Sequence, residues 1–378
     1  METSKKAPDG YGFTGTELDD LILANCNLQP NSLSAFCAGE RRPAADTENA
    51  RQALASPNFR RAAELLAKPH FRLTAVKGGG ALAAEMFSVY GQVSASGMEL
   101  AALMRPGKTV MVLYFEDEAL FLDWWCGTMA SKVRTPSVNY LVPELPTEEF
   151  AFILHVIDAF RRVYMENMLL YTRPEKYVIP EEDFIAAFKV ALQSGDIRWL
   201  LPALFNLTPG LAGTLLDIQP GLVETAEALR FMRYEKGCAP GDGIIRFTDA
   251  ALAMGFEFAA FWQFGLGLQA EVLSAGAVRP MAWEFLAPTN FANHLFTCRT
   301  GQMGIRFFKH DQLTYGEYRK HVSGLLAQLA AVYKPAPIPQ PVQVPPASPA
   351  PKTAFCRFCG AKLPDGAAFC ASCGSKLQ

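Results

Sequence analysis

The sequence lacks most of the signatures by which catalysts are read from residues alone. It contains no G-x-G-x-x-G and no G-x-x-x-x-G-K-[ST], so neither a dinucleotide loop nor a P-loop is present. G-x-S-x-G and H-E-x-x-H are absent too, which removes the nucleophile elbow and the zinc-protease helix. Histidine is scarce: His70, His155, His294, His310 and His321 are the five in 378 residues, and no two stand at metal-ligand spacing. Charge of either sign is in short supply. Lys and Arg number 35 against 37 Asp and Glu, a formal charge of -2, which fits neither a basic nucleic-acid binder nor an acidic decoy. The first ten residues carry no apolar run after Lys5 and Lys6, so no secretory leader is expected and a cytoplasmic setting follows. In that setting the scattered Cys26, Cys37, Cys126, Cys238 and Cys298 are expected as reduced core residues.

What is present is concentrated at the end of the chain. Phe-Cys-x-x-Cys-Gly-x-Lys-Leu occurs twice, with Cys356 and Cys359 in the first copy and Cys370 and Cys373 in the second. Two such knuckles make a tetrahedral four-sulfur zinc site. Gly360 and Gly374 let the backbone turn its N–H groups toward the thiolates. Four sulfurs leave no position for water, so the site is structural, and metal binding supplies on the order of 10 kcal/mol of folding free energy. Phe355, Phe369, Leu363 and Leu377 are expected to cover the metal. Disulfides would need an oxidising compartment, and a redox Cys-x-x-Cys normally stands alone before a helix. This stretch resembles the short zinc-ribbon family, an accessory module, over residues 353–378. With four thiolates and a zinc ion the tail is near neutral, so phosphate binding is disfavoured. Arg357 and Phe358 at a knuckle tip suit a protein contact better than a base.

Half of all residues are apolar, ample for a large core. Between Lys334 and Lys352 lie eight prolines, which exclude helix and central strand. The segment is expected to be an extended spacer reaching about 50 Å at ~3.1 Å per residue. Residues 1–15 and 38–48 are expected to be loose. Ala251–Ala277 is very apolar, but Glu257, Gln263 and Glu271 interrupt it, and Gly255, Gly265 and Gly267 mark bends. It reads as a buried globular segment rather than a membrane span.

The body reads as α+β, a mixture of helix and sheet. A helix capped by Thr16 with Asp19 and a second over about 47–66 precede strands at 71–76, 85–90, 98–104 and 109–115. Gly78-Gly-Gly80 and Pro106-Gly107 are turns between them. The last strand runs into Glu116-Asp-Glu118, acids suited to the first turn of a helix. Thr147 opens a helix with the stripe Phe150, Ile153, Leu154, Ile157, Phe160 and Tyr164. Further helices are expected from Pro180 and over 222–234. Strands at 244–247, 269–273, 283–286, 293–297 and 305–309 follow, and Thr314 with Glu317 caps a last helix. Ile305-Arg-Phe-Phe308 before that helix echoes Val112-Leu-Tyr-Phe115 before Glu118. The expected organisation is a first α/β lobe at 1–145, a helical connection and second lobe at 146–333, a proline-rich linker at 334–352 and the zinc ribbon at 353–378.

The rhythm at 71–129 and 281–333 resembles the EspG-like chaperones of type VII secretion. That resemblance implies two pseudo-symmetric lobes and a role in binding exported protein pairs in the cytosol. The residues themselves point to a non-catalytic protein-binding adaptor with a tethered zinc ribbon and a protein partner. An enzyme of unrecognised type would draw on Glu116, Asp117, His310 and Asp311. Glu116–Glu118 could hold Mg²⁺ but suit a helix start, and His310-Asp311 reads as a polar turn. Ser94 and Ser96 have no visible base. A nucleic-acid role through the ribbon is the remaining alternative.

Overall fold

The computed structural model describes residues 8–26, 47–79, 84–94, 97–106, 109–136, 138–173, 176–211, 218–239, 241–274, 277–300, 306–333, 354–363 and 367–376. The chain forms two compact units, Met1–Lys334 and Pro335–Gln378.

The larger unit opens with β1 (Asp9–Thr14), α1 (Gly15–Asn25), α2 (Glu48–Ala55) and α3 (Pro57–Ala67). A meander follows: β2 (Phe71–Gly78), β3 (Ala84–Ser94), β4 (Gly97–Met104) and β5 (Thr109–Phe115), closed by α4 (Glu118–Met129). The second half opens with β6 (Glu144–Pro146), α5 (Thr147–Leu169), β7 (Val178–Pro180), α6 (Glu181–Ala191), α7 (Leu200–Leu207), α8 (Ala228–Phe231), β8 (Met232–Glu235), β9 (Ile244–Phe247) and α9 (Asp249–Glu257). After a 3-10 turn at Phe261–Gln263 comes a second meander, β10 (Leu266–Ser274), β11 (Ala277–Pro288), β12 (Asn293–Thr300) and β13 (Arg306–Leu313), closed by α10 (Tyr315–Ala331).

Both meanders belong to one antiparallel sheet of order β1-β5-β4-β3-β2-β10-β11-β12-β13-β6. The order is the same read from either end. In each half the short opening strand returns to pair with the last strand of the meander. The antiparallel β2–β10 pair lies at the centre, so an approximate two-fold axis passes through this seam. The mixed α+β class and the repeat are as expected, but the two halves share a single sheet. Arg72 and Glu271 stand directly opposite each other across the seam. Their guanidinium and carboxylate approach to 2.7 Å, and Gln269 Nε2 donates to the other Glu271 oxygen at 3.0 Å.

Strand alternation divides the core. On one face Phe71, Leu73, Leu113 and Phe115 meet Phe121, Trp125, Tyr318 and Leu326 of α4 and α10. Trp125 Nε1 donates to Tyr318 Oη at 3.0 Å, joining the closing helices of the two halves. On the other face α1–α3 cover Val110, Val112 and Tyr114. Over the second half α5–α9 cover Phe285, Phe296 and Phe308. Helix α5 is sunk in that layer: every residue from Phe150 to Arg161 is buried, not only the expected stripe. Phe150 stacks on Phe308 with ring centroids 4.4 Å apart. Gly267 admits the end of α7, because a Cβ there would sit 1.9 Å from the Leu207 carbonyl oxygen.

Several expectations are corrected. Residues 9–14 are not loose, since β1 pairs with β5 along its whole length. Helix α1 is capped by Thr14, whose N–H donates to Glu17 at 3.3 Å, rather than by Thr16 with Asp19. The helix expected at 47–66 is two, because Ser56 caps a new start with Pro57 at its first position. The helix expected over 222–234 shrinks to α8 and gives way to β8, which packs in a three-stranded sheet of order β7-β9-β8. Cys238 is exposed, whereas Cys126 is buried and Cys26 and Cys298 are half-buried. The apolar stretch from Ala251 divides into α9, the 3-10 turn and β10, with Met254, Phe258 and Phe261 buried. No helix among the described residues is long and apolar enough to cross a membrane. The proline-rich segment, Cys37, Gly80, Ser96, Gly107, Ile305 and Leu377 lie outside the described residues.

In the smaller unit, β14 (Ala354–Phe355) and β15 (Lys362–Leu363) form a two-stranded antiparallel ribbon. Phe369 and Lys376 repeat that contact as a single bridge.

Candidate functional site

Each knuckle of the smaller unit is closed by backbone hydrogen bonds at the same positions. Gly360 N–H donates to the Cys356 carbonyl and Cys356 N–H to that of Ala361, both at 2.8 Å. Gly374 and Cys370 repeat the pattern with Cys370 and Ser375 at 2.8 and 2.9 Å. The turn needs φ of +73° at Gly360 and +72° at Gly374, the left-handed region that glycine adopts without cost. It brings Cys356, Cys359, Cys370 and Cys373 together with all four sulfurs within 4.8 Å of one another. Cys356 and Cys373 sulfurs are 3.7 Å apart and those of Cys359 and Cys370 are 3.6 Å apart. A tetrahedral zinc ion with Zn–S near 2.3 Å has S···S edges of about 3.8 Å.

The electrostatics fit the same ion. N–H groups of Phe358 and Cys359 hold the Cys356 thiol below its ordinary value. The Ser375 hydroxyl and N–H bring Cys373 down to about 6. The Ala361 N–H favours the Cys359 thiolate, yet three neighbouring sulfurs hold Cys359 up, at about 12. Four thiolates this close need a cation among them. Cys356, Cys359, Cys370 and Cys373 would hold zinc and fill its coordination, so the ion would organise the fold and perform no chemistry. Of the expected apolar cover, Phe355 and Phe369 are 61% and 59% exposed and Leu363 is half-buried. Phe358 is exposed beside them, with the Arg357 guanidinium 4.9 Å from its ring centroid.

In the larger unit, α5, α6, β7 and the start of α7 line an open cavity of about 900 Å³. Its shape follows from small residues: Ala159 on α5 faces Ala186 and Ala187 on α6. His155 lies at its floor, where Nε2 donates to the Phe184 carbonyl at 3.1 Å. Burial pulls His155 down to about 4, so it stays neutral. One end is held by Asp158, which accepts from Arg161 at 2.8 Å and from the Leu200 and Leu201 N–H groups at 3.0 Å. These two N–H groups open α7, so Asp158 caps that helix from a neighbouring element. Arg161 also donates to the Arg198 carbonyl at 2.8 Å and lies over the Trp199 and Phe261 rings. Of the lining residues, Met165 and Leu169 on α5 and Val190 on α6 are exposed, Leu169 at 79% and Val190 at 67%, and the exposed Met168, Leu170 and Tyr171 adjoin Leu169 in sequence.

Residues 355–377 match the zinc-ribbon domain family. The four cysteines therefore sit in a zinc ribbon. Among solved structures, the chain shows a weak likeness to the Mycobacterium tuberculosis type VII secretion system chaperone EspG5, solved in complex with a PE25–PPE41 dimer. Identity is 10%, coverage is 84% of this chain and 96% of that one, and the TM-score is 0.36. No curated protein matches.

The residues an enzyme was expected to use do not converge. Asp117 caps α4 by accepting from Leu120 N–H at 2.8 Å, and Glu118 accepts from Ser323 at 2.5 Å. They follow β5, seven strand positions from β13 in the sheet order. At about 4.8 Å per strand, that is roughly 34 Å. His310 and Asp311 are on β13 rather than in a polar turn, and as successive strand residues they point to opposite faces. Ser94 donates to the Gly97 carbonyl at 3.1 Å across the β3–β4 hairpin.

Sequence reasoning missed what His310 does join. His310 Nε2 lies 3.0 Å from His294 Nδ1, and His294 Nε2 lies 2.8 Å from Glu257 Oε1. Both histidines are buried, and burial together with His294 holds His310 well below the ordinary imidazole value. This internal relay ties α9 to β12 and β13. The cavity was missed as well; of the apolar run Met168-Leu-Leu-Tyr171 beyond the helical stripe, Leu169 lines it.

Proposed function

We propose that this chain is a non-catalytic protein-binding adaptor of the cytoplasm that holds its partner in the cavity between α5, α6 and α7, and that its zinc ribbon is a second contact surface. The observation carrying this reading is the exposed run at the end of α5. Met165, Met168, Leu169, Leu170 and Tyr171 are large apolar side chains exposed to water, and Met165 and Leu169 with the exposed Val190 line the cavity. Contiguous apolar surface of this kind on a folded protein is characteristic of interaction sites. Met165 and Met168 suit such a surface, because unbranched thioether side chains repack around different partners. The exposed Phe355, Phe358 and Phe369 of the ribbon support a protein contact there, with Arg357 stacked on the tip. A second contact on the same chain raises the effective concentration of the first.

The test is gentle purification of the full chain from its native cells, beside Leu169→Lys and Val190→Lys. Both positions are exposed, so neither change disturbs the core. A stoichiometric protein partner is expected with the unaltered chain and is lost from both variants. A chain that emerges alone, or a partner indifferent to both changes, contradicts the reading.

A further inference from the structure

We infer that the cavity between α5, α6 and α7 receives an amphipathic helix with lysine or arginine flanking its apolar stripe. This rests on the adaptor reading above and specifies the occupant. Three observations select it. First, the groove is long: its α5 wall runs from His155 to Leu169, and Met165, Leu169 and Val190 on its lining are exposed apolar side chains. A compact ligand would leave part of that wall in water. From His155 to Leu169, α5 rises about 21 Å at ~1.5 Å per residue, the length of a helix of about four turns. Helices dock in such grooves by apolar anchors at i, i+3, i+4 and i+7.

Second, an added strand is disfavoured. The strand bordering the cavity, β7, has one unpaired edge but is three residues long and ends in Pro180, which has no N–H to donate. Third, the charge left over at the cavity is negative. Glu166 is balanced by Arg162 at 2.9 Å, Asp196 by Arg198 at 2.6 Å and Asp158 by Arg161 at 2.8 Å. Asp183 lines the cavity in the first turn of α6 with the exposed Glu182 next to it in sequence, while Glu181 accepts from Tyr234 Oη and Gly243 N–H. Lys189 is in the last turn of that helix, at its far end. A basic flank on the incoming helix complements the acidic end and rejects an acidic twin.

The test uses the full chain and three fluorescent peptides of eighteen residues. One has a leucine–phenylalanine stripe flanked by lysine, one has the same stripe flanked by glutamate, and one has lysine with the stripe scrambled. Anisotropy titrations should show the first binding at least tenfold more tightly than either of the others. Ala187→Trp fills the cavity and should weaken that binding at least tenfold. Leu169→Lys at the exposed rim should do the same with no change in folding. Asp183→Lys should erase the preference for lysine over glutamate. If the glutamate peptide binds as well or better, and Ala187→Trp abolishes it, the charge inference fails and the adaptor reading stands. If no peptide binds, or binding ignores both Ala187→Trp and Leu169→Lys, the helix inference fails, and the partner capture above decides the adaptor reading.

Discussion

Replacing Arg72 by methionine tests whether the seam between the two halves is held as the register indicates. Arg72 and Glu271 are paired directly across β2 and β10, with N···O contacts of 2.7 and 2.8 Å and side chains 19% and 8% exposed. Arg72→Met leaves Glu271 buried with Gln269 as its remaining neutral donor. Breaking a fully buried pair from one side costs about 3–5 kcal/mol. Arg72 keeps partial access to water, so about 3 kcal/mol is the expected loss, at the low end of that range. For a body of roughly 330 residues, an unfolding entropy near 2.1 cal/mol/K per residue turns this into a Tm drop of about 4 °C. Glu271→Leu alone should cost a similar amount by stranding the guanidinium. The double variant should recover most of the loss, because an apolar pair of similar volume is often neutral in place of an ion pair. Urea denaturation of the four proteins, followed by tryptophan fluorescence and far-ultraviolet circular dichroism, gives the cycle. A loss below about 1 kcal/mol for Arg72→Met, or a double variant whose cost equals the sum of the two singles, refutes the reasoning.

Three further outcomes follow from other parts of the fold. His155 binds its proton at about pH 4 when folded and near 6.5 when unfolded, so the unfolded state is favoured as pH falls between these values. The native state should lose about 2 kcal/mol from this group between pH 7.5 and pH 5, and His155→Leu should be less acid-sensitive by that amount in urea titrations. Gly267→Ala should cost about 3 kcal/mol, because its Cβ would meet the Leu207 carbonyl, whereas Gly127→Ala on α4 meets nothing within 4 Å and should be neutral or slightly stabilising. A strong chelator, or Cys356→Ser, should remove slow amide exchange across residues 354–376, and the reduced full chain should carry one zinc ion by elemental analysis.

Local patterns made part of this fold legible. The two Cys-x-x-Cys-Gly knuckles close through hydrogen bonds spanning four or five residues, so spacing alone identified all four ligands. The first meander was readable because Phe71–Phe115 alternates on both faces and turn residues punctuate it. Thr314 and Glu317 form their capping box within one turn, as the residues indicated. Long-range geometry was not legible. β1 is a six-residue strand with two glycines, and its partner β5 lies about a hundred residues away. The direct pairing of Arg72 with Glu271 depends on register across 199 residues, to which neither local segment bears witness. His294 and His310 meet because β12 pairs with β13, and Glu257 joins them from a different helix. The cavity escaped notice for another reason. Alanines at 159, 186 and 187 are good helix formers anywhere, and only packing reveals that they leave space.

The binding claim is tested most directly by placing a photo-crosslinking residue at Met168, Val190 or Gln52 of the full chain in its native cells. Val190 lines the cavity, Met168 is exposed next to the lining residue Leu169, and Gln52 is exposed on α2. The account predicts one discrete protein adduct, shared by Met168 and Val190, absent at Gln52 and lost when Ala187→Trp is added. No adduct at the first two positions, or an equal one at Gln52, would contradict it.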